Sequence, residues 1–233
     1  MRPWHGVPID DCGEALVPLP MSLLRLEPHP YASLGAPYGP GASPFQLRSG
    51  VLSRLLAAQE ALRRHDPGLR LAIFDAWRPL AVQRFMVRQA FMEECQQRRL
   101  DPDGQGPELE AVRELVGRFW ADPSPNPATP PPHSTGAAVD LTLADREGQP
   151  LAMGGAIDVL GPISEPDHYA SAATADPEAE PARWHANRER LRAAMQAVGF
   201  ARHPNEWWHF SWGDQLWAWS RGEAQAIYGR VED

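Results

Sequence analysis

The stretch Leu69-Arg-Leu-Ala-Ile-Phe-Asp-Ala-Trp-Arg-Pro79 reads as a strand that runs into a helix. Leu69 to Phe74 is a short, mostly apolar run stopped at its front by Asp66-Pro67-Gly68, as a buried strand requires. Pro79 suits the first turn of a helix, because its fixed φ is already helical and its missing N–H has no partner to lose there. From Leu80 to Arg98 the apolar residues Val82, Phe85, Met86, Ala90, Phe91 and Met92 recur at helical spacing and form the expected buried side. Upstream, Val51, Leu52, Leu55, Leu56 and Leu62 recur in the same way within 47–65, so a helix leads into the strand.

Outward from this unit the elements do not alternate regularly. Residues 1–45 are rich in Pro and Gly and read as an extended N-terminal arm with turns. Residues 101–107 break the chain, and Leu109 to Trp120 can form a further helix. Asp122 to Pro132 is a Pro-rich loop that cannot be regular structure. Ala137 to Leu143 reads as a buried strand, Asp145 to Gly148 as a turn, and Gln149 to Met153 as a segment that pairs back. Ser164 to Pro181 is acidic and rich in Ala, Ser and Pro, and reads as a mobile surface loop over 164–181. Trp184 to Val198 has helical character with Gly199 at its stop, and Glu206 to Trp212 is aromatic and strand-like. Helices mixed with strands in this order predict one α+β domain over 1–233, with a small, mostly antiparallel sheet flanked by helices.

Composition narrows the function. The chain has 233 residues, 43% of them hydrophobic and 22% charged, which is enough for a real core. A net charge of −8 argues against a nucleic-acid partner, since phosphate binding depends on clustered positive charge. No Lys occurs, which excludes a catalytic lysine. Cys12 and Cys95 lie far apart and form no CxxC, so both are expected as reduced thiols. The N-terminus carries Asp10, Asp11 and Glu14 in place of a signal peptide, and no apolar run reaches the ~20 residues of a membrane span. The expectation is a soluble cytoplasmic protein with no membrane partner.

Two segments carry the chemistry. In His133-Ser-Thr-Gly-Ala-Ala-Val-Asp140 a carboxylate sits between Val139 and Leu141, a costly place for a charge unless it meets a cation, a metal or hydrogen-bond donors. Glu206-Trp-Trp-His209 adds a second imidazole and a second carboxylate. Alone, it is also compatible with an aromatic strand whose histidine is simply packed. Together the segments fit a three-ligand catalytic zinc site at the sheet: His133, Asp140 and His209 on the metal, a fourth position for water, and Glu206 as the base. On a regular strand, positions 206 and 209 point to opposite faces, so the strand must twist, bulge or end there. Arg78, at the strand-to-helix junction, offers a rigid fork of donors for a developing oxyanion, or else a salt bridge to Asp75.

Four stretches occur in order: Phe74-Asp-Ala-Trp-Arg-Pro79, His133 to Asp140, Met153-Gly-Gly-Ala-Ile-Asp158 and Glu206-Trp-Trp-His209. With the segment from Asn187-Arg188 to Gly199-Phe200, this set resembles the D-alanyl-D-alanine dipeptidase family, zinc D,D-dipeptidases that include the vancomycin-resistance dipeptidase. The resemblance runs from about Tyr31 to the C-terminus. It implies one Zn2+ per chain on His133, Asp140 and His209, with Glu206 as general base and Arg78 as the transition-state arginine. It further implies that Asp158 receives the free amino group of a small dipeptide substrate, with Tyr31 near the same end; read from the residues alone, Asp158 is equally a turn residue. The chain departs from the family pattern at Pro131, where a Ser is usual, at Gly35-Ala-Pro-Tyr-Gly39, and in a longer stretch over 96–132. The departures leave the metal chemistry intact but keep open a D,D- or L,D-carboxypeptidase for longer cell-wall peptides. A non-catalytic zinc-binding module is a further alternative, since folds outlive their chemistry, against which the intact Glu206 and Arg78 argue.

Overall fold

The computed structural model describes residues 2–232. In chain order the elements are β1 (Leu16–Pro18), β2 (Leu24–Arg25), α1 (Pro30–Ser33), β3 (Gln46–Arg48), α2 (Ser49–His65), β4 (Arg70–Asp75), α3 (Leu80–Arg98) and α4 (Pro107–Phe119). They continue with β5 (Ala138–Ala144), α5 (Ala170–Ala175), α6 (Glu180–Gln196), β6 (Ala201–Arg202), β7 (His209–Ser211) and α7 (Gln215–Arg221). Three short 3-10 turns lie at Pro3–Gly6, Pro132–Thr135 and Pro162–Ser164.

The main sheet has the strand order β2-β4-β5-β7-β6. All neighbours are antiparallel except β2, which runs parallel to β4. The chain is thus one α+β domain with a mostly antiparallel sheet. A two-stranded ribbon, β1 with β3, stands apart from it.

Alternation along the strands sorts side chains to two faces. Leu71 and Ile73 of β4, Val139, Leu141 and Leu143 of β5 and Phe210 of β7 join Leu55 and Leu62 of α2 and Leu191 and Met195 of α6 in the main core. Phe74 packs instead with a second cluster, built by Val82, Met86 and Ala90 of α3 against Leu109, Val112 and Val116 of α4. The other face of β5 and β7 carries Asp140, His209 and Ser211, so the apolar core on one side fixes the polar row on the other.

Several sequence readings shift. The N-terminal arm is largely irregular but supplies β1, β2 and the single turn α1, and β2 extends the main sheet. Met92, expected on the buried side of α3, is 40% exposed. The segment 164–181 is more regular than a loop: α5 occupies its middle, and α6 begins within it at Glu180. Residues after the 145–148 turn pair back only through a single bridge, Ala144 to Pro150. Cys12 and Cys95 are both free thiols, one exposed and one buried.

Candidate metal centre

Strand register assembles the site. Asp140 of β5 lies directly opposite His209 of β7. On its other side, β4 carries an irregularity between Ile73 and Asp75, so two β4 residues oppose one on β5 and Asp75 comes opposite Asp140. One row across three strands therefore reads Asp75, Asp140, His209. The 3-10 turn Pro132–Thr135 delivers His133 beside that row and ends at Gly136, whose φ of +70° places it in the left-handed region. A Cβ at Gly136 would approach Leu16 Cδ1 to 2.7 Å, so the turn into β5 is shaped for glycine on both counts. The backbone N–H of Arg78 donates to the His133 carbonyl (3.2 Å) and Ser134 Oγ donates to the Arg78 carbonyl (2.8 Å), which ties this turn to the β4–α3 junction.

Hydrogen bonds set the tautomers of both histidines. His133 Nδ1 lies 2.6 Å from the Ala76 carbonyl, which can only accept, so Nδ1 carries the hydrogen and Nε2 the lone pair. Ser211 Oγ donates to Asp214 Oδ2 (2.7 Å) and so accepts from His209 Nε2 (3.3 Å), which leaves the lone pair on His209 Nδ1. These two lone-pair nitrogens face each other at 3.1 Å. His133 Nε2 is 3.1 Å from Asp140 Oδ2, and His209 Nδ1 is 3.1 Å from Asp140 Oδ1. Asp140 Oδ1 is buried without a hydrogen-bond partner. Acceptors thus converge with no proton between them, an arrangement a cation resolves. The spacing suits zinc, for which 2.0–2.1 Å bonds in a tetrahedron imply ligand separations of about 3.3 Å. One donor atom from each of the three residues falls within 4.8 Å of the others, so the residues present fit a metal.

Around this triad the other charges are arranged in two groups. On the His209 side, Glu206 Oε2 lies 3.7 Å from His209 Nδ1, and Glu206 Oε1 lies 3.4 Å from His203 Nδ1. Burial pushes the Glu206 carboxyl well up, and the Asp140 charge adds to it. Burial pushes the His203 imidazole well down, with His209 next in effect. On the Asp140 side, Arg78 is clamped by Asp75, whose Oδ2 accepts from both Nε (3.0 Å) and Nη2 (2.7 Å), and Nη1 donates to Gln83 Oε1 (2.8 Å). Nη2 also lies 3.5 Å from Asp140 Oδ2. Burial alone would lower the Arg78 guanidinium, but Asp75 first, with Tyr31, Asp140 and Asp158 behind it, together more than reverse this and hold it charged.

Tyr31 donates to Asp158 Oδ2 at 2.6 Å and stands 3.4 Å from Arg78 Nη2. Asp158 has a φ of +68°, a strained backbone for a residue with a side chain, and strain of this kind gathers at functional sites. Burial and then the Asp140 charge push its carboxyl up to about 7.

The seven residues singled out from sequence all meet here: His133, Asp140, His209, Glu206, Arg78 and Asp158 line one cavity, and Tyr31 backs Asp158. Positions 206 and 209 reach the same side because β7 begins only at His209, leaving Glu206 in irregular chain between bends at 204–205 and 207–208. The salt bridge to Asp75 that sequence offered as an alternative for Arg78 is present as well, and it orients the guanidinium towards Asp140. Sequence reasoning passed over His203, Gln83 and the Ser211–Asp214 pair. The spacing His203-x-x-Glu206 was an available signal for the first; the others depend on contacts no local pattern carries.

Residues 25–227 match a family model described as D-ala-D-ala dipeptidase. A D-alanyl-D-alanine dipeptidase of Synechocystis is 45% identical over 245 aligned positions, covering 100% of this chain and 98% of the relative. A D-alanyl-D-alanine dipeptidase of Enterococcus faecium is 31% identical over 69% of this chain and 70% of its own. Among solved structures, a zinc-bound vancomycin-resistance D,D-pentapeptidase shares 16% identity over 76% of this chain and 80% of its own, with a TM-score of 0.41. The length of the family match and the full-length relative leave one assignment: the chain belongs to the D-alanyl-D-alanine dipeptidase family.

Proposed function

We propose that this protein is a zinc-dependent D,D-dipeptidase that hydrolyses D-alanyl-D-alanine or a similar small D,D-dipeptide in the cytoplasm, with one zinc per chain. The observation that carries the reading is that a lone-pair donor set on His133, Asp140 and His209 shares one cavity with Glu206, Arg78 and Asp158. Family membership supplies the substrate class.

When bound, zinc would polarise the scissile carbonyl and lower the pKa of water to about 7. Glu206, 3.7 Å from His209 Nδ1, takes the proton of the attacking water. Its raised pKa makes it a strong enough base to hold that proton and then give it to the leaving amine as the C–N bond breaks. His203, kept neutral by burial, lies 3.4 Å from the other Glu206 oxygen through Nδ1, which accepts from the Asn205 N–H and so can also accept a hydrogen bond from Glu206 once that carboxyl is protonated. Arg78 is fixed by Asp75 and Gln83 with its Nη2 edge towards the triad, where it donates to the oxygen that becomes negative in the tetrahedral state. Asp158 pairs with the substrate ammonium, and the Tyr31 hydroxyl holds the accepting carboxylate in place. Two D-alanines leave, with one water consumed.

The test is D-alanine release from D-Ala-D-Ala by purified protein, with chelator and with zinc restored. Zinc-dependent release is expected. A protein that binds one zinc and releases nothing would shift the reading to longer cell-wall peptides or to a binding role.

A further inference from the structure

Two residues of the cavity lie outside the family match over 25–227: Arg2 and Trp4 line it beside Glu206, His203 and the metal donors. Both are held in place. Trp4, on the 3-10 turn Pro3–Gly6, is 4% exposed; its ring meets His203 edge-on at 5.6 Å and Trp219 of α7 at 5.8 Å. Arg2 spans to the end of α4, where Nη1 donates to the Arg118 carbonyl (2.9 Å) and Nη2 to those of Gly117 (2.8 Å) and Trp120 (3.2 Å). A helix end presents partial negative charge, so the guanidinium is anchored there by its own chemistry.

Those bonds use both hydrogens of Nη2 and one of Nη1. Among the described residues, nothing accepts from Arg2 Nε or from the second hydrogen of Nη1. Burial draws this guanidinium down and the Glu206 charge draws it back, so it stands within electrostatic reach of the reacting centre.

A free dipeptide carries an ammonium and a carboxylate, and burying either without a partner is costly. The ammonium has Asp158. For the carboxylate, only two guanidiniums line the described cavity, and Arg78 is already bound by Asp75. Asp158 and Tyr31 sit beside Arg78, while Arg2 lies over the Trp4 ring (5.5 Å), which meets His203 next to Glu206.

Resting on the dipeptidase reading, we propose that Arg2 is a specificity residue that recognises the C-terminal carboxylate of the dipeptide, with Trp4 as the wall behind it. The N-terminal turn then measures the substrate: one anionic and one cationic end group, a fixed distance apart within one cavity.

The experiment compares D-Ala-D-Ala with its C-terminal amide on the zinc-loaded full chain, as wild type, Arg2→Gln and Arg2→Lys. A charge-assisted hydrogen bond predicts that wild type prefers the acid by roughly 10- to 100-fold in kcat/KM. In Arg2→Gln the acid loses most of that advantage, chiefly through KM, while the amide changes much less; Arg2→Lys recovers part of it. If Arg2 only anchors α4, both substrates fall together and the preference survives, which overturns the proposal. Equal turnover of acid and amide by wild type overturns it too while leaving the dipeptidase reading intact. Turnover of neither by wild type sinks that reading, and the role of Arg2 with it.

Discussion

Glu206 is a 6% exposed carboxylate whose nearest partners are two imidazoles, one of which presents a lone pair. The Arg2 charge offsets only part of the cost of burying it, so its placement is explained by a proton it must carry. Glu206→Ala is expected to keep the metal, since it removes no donor of the triad, and to lose about 10²- to 10⁴-fold or more in kcat. Metal content and turnover on one preparation check this; substantial hydrolysis by the variant would end the assigned role. Ser211 makes the complementary case. It touches no metal position but fixes the His209 tautomer through its bond to Asp214. Ser211→Ala should weaken zinc binding about 10- to 100-fold, read by competition with a chelator, with kcat little changed at saturating zinc. At this scale Asp140 was legible because a charge between Val139 and Leu141 has so few explanations. Ser211 and His203 were not, because a hydroxyl or imidazole acquires its role from partners that only the folded register supplies.

Elements with strong periodicity or clear stops were legible in the same way: α2 ends at His65, just before Asp66, β4 follows, and α3 begins after Pro79. Helix α5 was missed for a physical reason. None of its own residues is buried, so it lacks the apolar stripe that marks a helix in sequence. What orders the surrounding chain is non-local: Arg188 of α6, itself buried, donates to the carbonyls of Met153, Ile163 and Glu165. The two-residue β2 was missed because its pairing with β4 lies in the partner strand rather than in any pattern of its own. The start of α2 shows the same dependence and gives a prediction. Glu14, 36 residues upstream, accepts from the Gly50 N–H (2.7 Å), Ser49 Oγ (3.1 Å) and the Tyr228 hydroxyl (2.8 Å), capping the helix and joining both ends of the chain. Burial acts to raise the Glu14 carboxyl, but the bonds from Tyr228, Gly50 and Ser49 prevail and lower it below its ordinary 4.5. A depressed carboxyl stabilises the fold above its unfolded value and loses that contribution as pH falls through the folded one. Glu14→Gln keeps an accepting oxygen and loses a partly solvated charge, so it should cost a few tenths of a kcal/mol, at most about 1 kcal/mol, near neutrality. The difference from wild type should shrink as the pH drops below 4.5, the carboxyl's ordinary value. Denaturant titrations at pH 7 and in acid measure both, and a difference independent of pH would show that the charge plays no part.

For the molecule as a whole, the site couples chemistry to folding. Its three donors come from a 3-10 turn, from the middle strand of the sheet and from a short strand near the C-terminal end, so they converge only when the main sheet is complete. Without a cation the folded chain holds lone pairs and a carboxylate 3.1 Å apart, a repulsion the unfolded chain escapes. A metal that binds the folded form therefore stabilises it by mass action, with the relief of that repulsion contributing to its affinity. At free zinc of about 100 times the dissociation constant, mass action alone contributes about 2.7 kcal/mol. For a chain of this size that corresponds to a rise in Tm of about 5–10 °C over the chelator-treated protein. Asp140→Asn separates the repulsion in the metal-free fold from the gain on metal binding. It removes the central charge and supplies an amide donor to the facing nitrogens, so its metal-free form should melt no lower than metal-free wild type, while its zinc-dependent rise largely disappears. Melting curves of both proteins, with and without chelator, decide it: a variant that melts well below metal-free wild type would mean that the carboxylate supports the fold by itself, and the donor triad would no longer be the place where stability was given up for catalysis.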